Sequence, residues 1–184
     1  MSSNQPARRR LAELRLDEFV LPGARVVDED SFSPTELRYI EGVEDLLYIA
    51  RERLKRDPSI GKELPFDRRD DIRFVAVKRA VIAIDVTTDE LVGGTSQALP
   101  FVRPEHRLRG INRDLHLLAD ELDLSLFAPS HYSTGGYRAR LAAHREAVLD
   151  AVIAGRPVHP DNLERYADLI AARQTACEPA LPEL

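Results

Sequence analysis

Two runs rich in β-branched residues, Arg73-Phe74-Val75-Ala76-Val77-Lys78 and Ala80-Val81-Ile82-Ala83-Ile84-Asp85-Val86, lie almost end to end in this chain. Branching at Cβ restricts χ1 and suits the pleated backbone, so both runs read as strands. Thr87-Thr88-Asp89-Glu90 then turns the chain into a third stretch, Leu91 to Val102. Two or three antiparallel strands are expected from this region. Gly93-Gly94 lies early in the last of them, where glycines mark a bulge or the close approach of another backbone.

Helices are expected on either side of these strands. Ser33-Pro34-Thr35-Glu36 is a helix start, with an N-cap serine, proline at the first helical position and glutamate at the third. Leu37, Ile40, Val43, Leu47, Ala50 and Leu54 follow at three- and four-residue steps and form one apolar stripe. Ala24 to Val27 reads as a short strand before this helix, and the polar stretch Lys62 to Asp71, with Pro65 inside it, reads as a loop after it. Ile111 to Leu122 is helical, with Leu115, Leu118, Ala119 and Leu122 on one side, and Leu124 to Phe127 reads as a short apolar strand. That order of strand, helix and strand predicts a right-handed parallel pairing. Gly135 and Gly136 precede a longer helix through Tyr137, Leu141, Val148 and Val152, which Gly155 stops. A last helix starts at Asp161, with Glu164 completing a capping box. The fold class that results is α+β, a mixed and mainly antiparallel sheet flanked by helices.

Composition narrows the function classes. With 184 residues, 43% hydrophobic and 31% charged, the chain supports one core, from about residue 21 to residue 172. Every window of 18 residues contains a charge, which excludes a membrane-spanning helix. No apolar region follows the basic N-terminus, so a cytoplasmic protein is expected. Residues 1–20 carry Arg8, Arg9, Arg10 and Arg15 and read as a flexible basic arm, with a solvated tail as the plainer alternative; residues 173–184 read as a polar tail. Cys177 is the single cysteine, which excludes an internal disulfide and a cysteine-rich metal site, and no metal is expected. A net charge of −5 argues against binding nucleic acid over the whole surface.

The segment with chemical potential is Arg103-Pro104-Glu105-His106-Arg107-Leu108-Arg109-Gly110-Ile111-Asn112-Arg113, at the junction between the last strand and the next helix. A helix N-terminus offers unpaired amides and the positive end of a dipole, Gly110 permits a close backbone approach, and the arginines add charge. An anion site is one reading of this segment, and a solvated basic turn is the other.

Val102 to Asn112 resembles the signature of the GNAT acetyltransferase superfamily, a Val-x-Pro-Glu-x-Arg run continuing as Arg/Gln-x-x-Gly-x-Gly/Ala into a helix, with Asn112 where the family has glycine or alanine. The resemblance extends over about Phe74 to Gly155, and the strands that complete the family's acceptor side after Gly155 have no counterpart here. It implies a GNAT-like fold, acetyl-coenzyme A or another acyl-coenzyme A as cofactor, and transfer of the acyl group to an amine of a small molecule or protein. The implied cofactor-binding residues are Val102, Arg107, Leu108, Arg109, Gly110, Ile111, Asn112 and Arg113. The family's catalytic acid is often a tyrosine near the start of a later helix; Tyr132 and Tyr137 are the positions that match, Tyr132 being preferred, with His131 as a base. Tyr137 and His144 otherwise read as packing residues. The alternatives are a GNAT-like module that no longer catalyses and binds another protein or a nucleotide, and a nucleic-acid-associated accessory protein. A homodimer is compatible with each.

Overall fold

The computed structural model describes residues 9–96, 100–124 and 131–177. In chain order these form α1 (Leu16–Phe19), β1 (Arg25–Val27), α2 (Pro34–Arg56), β2 (Gly61–Leu64), β3 (Ile72–Val77), β4 (Ala80–Asp85), β5 (Leu91–Ser96) and β6 (Pro100–Val102). They continue with α3 (Ile111–Glu121), β7 (His131–Ser133), α4 (Thr134–Ile153), α5 (Pro160–Arg165) and α6 (Ala167–Cys177). The architecture is α+β: β2 to β6 form a five-stranded antiparallel meander with helices on both faces.

β4 is the central strand, and Val81, Ile82, Ala83 and Ile84 are all completely buried. Alternate side chains enter different layers, as the two-residue period of a strand requires. Phe74, Val81, Ala83, Val92 and Val102 pack under Ile111, Leu115 and Leu118 of α3. Val75, Val77, Ile82, Ile84 and Leu91 pack under Val43, Leu47 and Leu54 of α2. A strand covered on both faces has no polar side, which is why the Ala80 run is continuously apolar.

The turn between β4 and β5 is built by Asp85, whose carboxylate accepts from the amides of Thr87 at 2.9 Å and Thr88 at 3.1 Å. Ala83 pairs with Gly93 but Ile84 pairs with Leu91, so Val92 is an extra residue and β5 carries a bulge. Both readings of Gly93-Gly94 hold: a Cβ on Gly93 would strike the Phe101 carbonyl, and one on Gly94 would lie 2.5 Å from the Val81 carbonyl.

α2 begins as its sequence predicts. Ser33 Oγ accepts from the Glu36 amide at 3.3 Å, and Glu36 accepts from the Ser33 amide at 2.8 Å. Ser33→Ala removes this cap and is expected to lower stability by about 1 kcal/mol, read from the urea midpoint at unchanged slope. At the end of α4, Gly155 adopts φ +62° while its amide bonds to Val152 and that of Arg156 bonds to Ala151, a Schellman stop.

Several expectations are corrected. Lys62 to Leu64 belong to β2, an edge strand whose polar Lys62 and Glu63 face solvent and so hide its pairing with β3. Leu91 to Val102 is two antiparallel strands, β5 and β6. The five-stranded sheet contains no parallel pair among the described residues; the parallel pair is β1 with β7, in a separate two-stranded sheet. Of the expected strand Leu124 to Phe127, Leu124 is described and in no strand, and residues 125–127 lie outside the described residues. Residues 9–20 are not a free arm, because Leu11, Ala12, Phe19 and Val20 are buried. The N-cap of α5 is His159, with Pro160 at the first position, rather than Asp161, and the helix breaks at Tyr166 before α6 resumes. α6 runs to Cys177, so the first part of the expected tail is helical; the side chain of Cys177 and residues 178–184 lie outside the described residues.

The remaining helices form a second layer over α3. Leu11, Phe19 and Val20 pack with Leu117 of α3, Tyr132 of β7, and Ala143 and Ala147 of α4. Ala12, Val148 and Ala151 extend this core to Val158, Tyr166 and Ile170. No described helix is long and apolar enough to cross a membrane.

Candidate functional site

The junction between β6 and α3 is anchored at both ends. Val102 is buried at the end of β6, and Ile111, 1% exposed, plugs the first turn of α3 into the same apolar layer. Between them a single 3-10 turn, Pro104–His106, leads to two left-handed residues, Leu108 at φ +63° and Gly110 at φ +79°. Gly110 is the N-cap of α3, and among the described residues no side chain caps that helix. The first amides of α3 are therefore without a side-chain acceptor and carry the positive end of the helix dipole.

Acidic side chains surround the arginines of this junction. Arg109 donates to Asp71 at 2.6 Å, lies 3.8 Å from Asp85, and contacts His106 Nδ1 at 2.8 Å. Arg113 bonds to its neighbour Asp114 at 2.7 Å, and Asp114 also accepts from Arg69 at 3.1 Å. Arg69 in turn holds Asp71 through both carboxylate oxygens, at 2.7 and 3.1 Å. Arg103 reaches Glu44 of α2 at 3.6 Å, and Arg107 donates from Nε to the Val102 carbonyl at 3.2 Å. Arg69, Arg109 and Arg113 thus alternate with Asp71, Asp85 and Asp114 in one ladder.

Protonation follows the partners. The Arg69 guanidinium, and after it Arg109, hold the Asp71 carboxyl down to about 2. The amides of Thr88 and Thr87 lower Asp85. Asp114 moves the other way: its burial pushes the carboxyl above the usual range, against the pull of Arg113 and Arg69. Desolvation of a carboxylate at 1% exposure outweighs two adjacent cations.

The arrangement corrects the sequence picture of four arginines directed at a phosphate, because Arg103, Arg109 and Arg113 each face a carboxylate. What the loop offers an anion is chiefly backbone, the amides at the start of α3; Arg107 belongs to the same loop and holds the Val102 carbonyl. Asn112 sits in that first turn with its amide oxygen buried and unpaired among the described residues. Leu108 is 98% exposed at the tip.

The structure does not set the catalytic candidates against this loop. Tyr132 is buried, stacked edge-on with Tyr137 at 6.0 Å and lying 5.8 Å from the Arg140 guanidinium. Its burial raises the phenol's pKa. None of these neighbours belongs to the loop. His131 lies 3.3 Å from Glu36 at the start of α2. Tyr137 is half-buried against the same core, as expected, and His144 is fully buried, bonded at 3.0 Å to both the Leu14 carbonyl and the Tyr166 hydroxyl. No cluster of metal-ligating side chains occurs among the described residues.

Sequence reasoning missed Arg69, Asp71, Asp85 and Asp114. The only available signal was the dense alternation Asp67-Arg68-Arg69-Asp70-Asp71, which reads equally as a solvated loop. Two recesses lie elsewhere: one lined in part by Arg10, Phe66 and Arg68, and an open groove of about 440 Å³ lined by Leu141, Ala142, Arg138, Arg145, Arg165 and Tyr166 among others. Comparison with protein-family models, with curated proteins and with solved structures finds no match for this chain.

Proposed function

We propose that the junction of β6 and α3 binds the pyrophosphate of an acyl-coenzyme A, and that the protein transfers the acyl group to an amine. The observation that carries this reading is the start of α3. It has a left-handed glycine N-cap and, among the described residues, no side-chain acceptor on its first amides, and it follows by a short loop a strand at the margin of an antiparallel sheet. Diphosphate oxygens accept from those amides, and Arg107 adds charge. β6 pairs only with β5 among the described strands, so its other edge carries backbone groups suited to an extended, amide-bearing chain such as the pantetheine arm. In the reaction the amine nitrogen forms a bond to the thioester carbonyl carbon, the C–S bond breaks, a base takes the amine proton and the thiolate is protonated on leaving. Tyr132 packs in the helical layer and His131 lies beside Glu36 of α2, so the acid and base are not assigned to them.

Titration calorimetry of acetyl-coenzyme A tests the reading. The intact protein is expected to bind with micromolar affinity at one site per chain, and Arg107→Glu to weaken binding at least tenfold. Asn112→Asp is the sharper variant. A carboxylate in the first turn suits the helix dipole, so the fold is retained, while it repels a diphosphate. Absence of binding by the intact protein removes the enzyme reading.

A second reading, a non-catalytic GNAT-like module whose loop meets another protein, is favoured by one observation. Leu108 holds a left-handed backbone with its side chain 98% exposed, an apolar tip between two arginines. That reading predicts no response to acetyl-coenzyme A and capture of a partner that is lost in Leu108→Asp.

A further inference from the structure

Arg138, Leu141, Ala142 and Arg145 share one face of α4, within a strip about 100° wide, and form one wall of the open groove of about 440 Å³. Arg165, Tyr166 and Leu169, around the bend between α5 and α6, form the other. The bond between the Tyr166 hydroxyl and the buried His144 ties that wall to α4. Three arginines thus border an apolar groove in a chain whose net charge is −5. The acids of the surrounding helices do not neutralise them. Glu146 is shared by Arg68 at 3.4 Å, Arg145 at 3.4 Å and Arg173 at 3.3 Å, and Asp150 pairs with Arg68 and Arg173. Asp17 and Glu18 of α1 pair with Arg15 and Arg9. Asp161, Glu164 and Asp168 line no part of the groove and form no ion pair with its arginines. Arg138 and Arg165 have no acidic partner among the described residues. Burial raises the pKa of the Tyr166 phenol, and the charges of Arg165 and Arg145 both pull against it, so two cations lie near one hydroxyl.

We infer that this groove binds an acidic amphipathic helix of a partner protein, with two carboxylates two turns apart and apolar side chains between them. Arg138 and Arg145 are themselves two turns apart, about 10 Å along α4. One carboxylate meets Arg138, and the other enters between Arg145 and Arg165 beside the Tyr166 hydroxyl. The apolar side chains between them pack on Leu141 and on Leu169, which is 44% exposed, and the small side chain of Ala142 lets the partner's backbone come close. An anion with a single charged head, such as a fatty acid, would meet one of these positions and leave the other unmatched, and an open groove does not enclose an alkyl chain. Charge of the opposite sign orients the helix and excludes basic competitors. The inference does not rest on the coenzyme reading, because the groove and the loop share no residue.

Fluorescence anisotropy of the full chain with a labelled synthetic peptide tests it. The probe is a helix of about 16 residues of alanine, leucine and glutamate, with two glutamates two turns apart on either side of a leucine stripe. Its control carries glutamine in place of those two glutamates. The acidic peptide should bind saturably and about tenfold more tightly than the control. Arg138→Glu and Arg145→Glu should each weaken it about tenfold, whereas Arg53→Glu, on the exposed side of α2, should leave it unchanged. The double variant Arg138→Glu, Arg145→Glu should prefer a peptide with lysine at the two positions, a gain that a damaged groove does not produce. No saturable binding of the acidic peptide, equal binding of the control, or an equal loss in Arg53→Glu overturns the inference. So does a dimer of the chain alone that Arg145→Glu dissociates, because a second copy then fills the groove.

Discussion

Gly94→Ala is expected to lose about 3 kcal/mol of stability. The added Cβ would lie 2.5 Å from the Val81 carbonyl and 2.8 Å from Leu47 Cδ2, both in the completely buried centre of the molecule. The carbonyl belongs to the β4 backbone and cannot rotate aside, while Leu47 is the α2 side chain seated over the sheet. Moving either one separates β4 from β5 or lifts α2. Gly135→Ala provides the contrast, since nothing lies within 4 Å of its Cβ and it occupies the first turn of α4. There the methyl restricts the unfolded chain and favours the helix, so stability should rise by about 0.5 kcal/mol. Urea unfolding of the two variants decides the matter. Equal effects of the same sign would mean that β5 does not approach β4 and α2 as closely as described.

Acidification from pH 7 to pH 5 is expected to remove about 2 kcal/mol through His116 alone. His116 is buried on α3, with the edge of Phe19 at 5.6 Å. Burial, and after it the charge of Arg140, lowers its pKa to about 3 from an unperturbed 6.5. The unfolded chain therefore takes up a proton near pH 6.5 that the folded protein refuses until near pH 3. Stability is complete above the upper value and declines as pH falls through the interval, by up to about 1.4 kcal/mol per pH unit. Asp71, held near 2, contributes its loss only under stronger acid. His116→Phe keeps a ring against Phe19 and removes both the titration and an Nδ1 atom without a partner among the described residues. Urea midpoints at pH 7 and pH 5 should differ less for the variant than for the wild type; a remainder is expected from His144, whose pKa burial also lowers. Parallel pH dependence of the two proteins would refute the assignment.

Both predictions concern groups that no local pattern identifies, and the candidate site shows the same division. Gly110 and the arginines around it were visible in the sequence as a strand-to-helix junction with anion-binding character. Asp71 and Asp85, the carboxylates that meet Arg109, lie 38 and 24 positions earlier in the chain. An arginine beside a glycine reads alike whether or not an aspartate from another strand reaches it. Tyr132 and His131 illustrate the complementary limit: the family resemblance suggested them as acid and base, but with β7 paired to β1 the Tyr132 side chain packs in the helical layer and His131 lies beside Glu36 of α2.

The sequence by itself determined the elements whose signals are local. The β-branched runs specified β3 and β4, Ser33-Pro34-Thr35-Glu36 specified the start of α2, Gly155 specified the end of α4, and the paired glycines specified where β5 is crowded. Each depends on torsional preference, capping or steric room within a few residues. Tertiary structure alone decided that Lys62 to Leu64 pair as an edge strand, that residues 9–20 enter the core, that the arginines of the loop face carboxylates, and that His116 stays uncharged. These outcomes depend on which distant groups share a desolvated space. Desolvation and Coulomb energies follow separation in space, which separation along the chain does not encode.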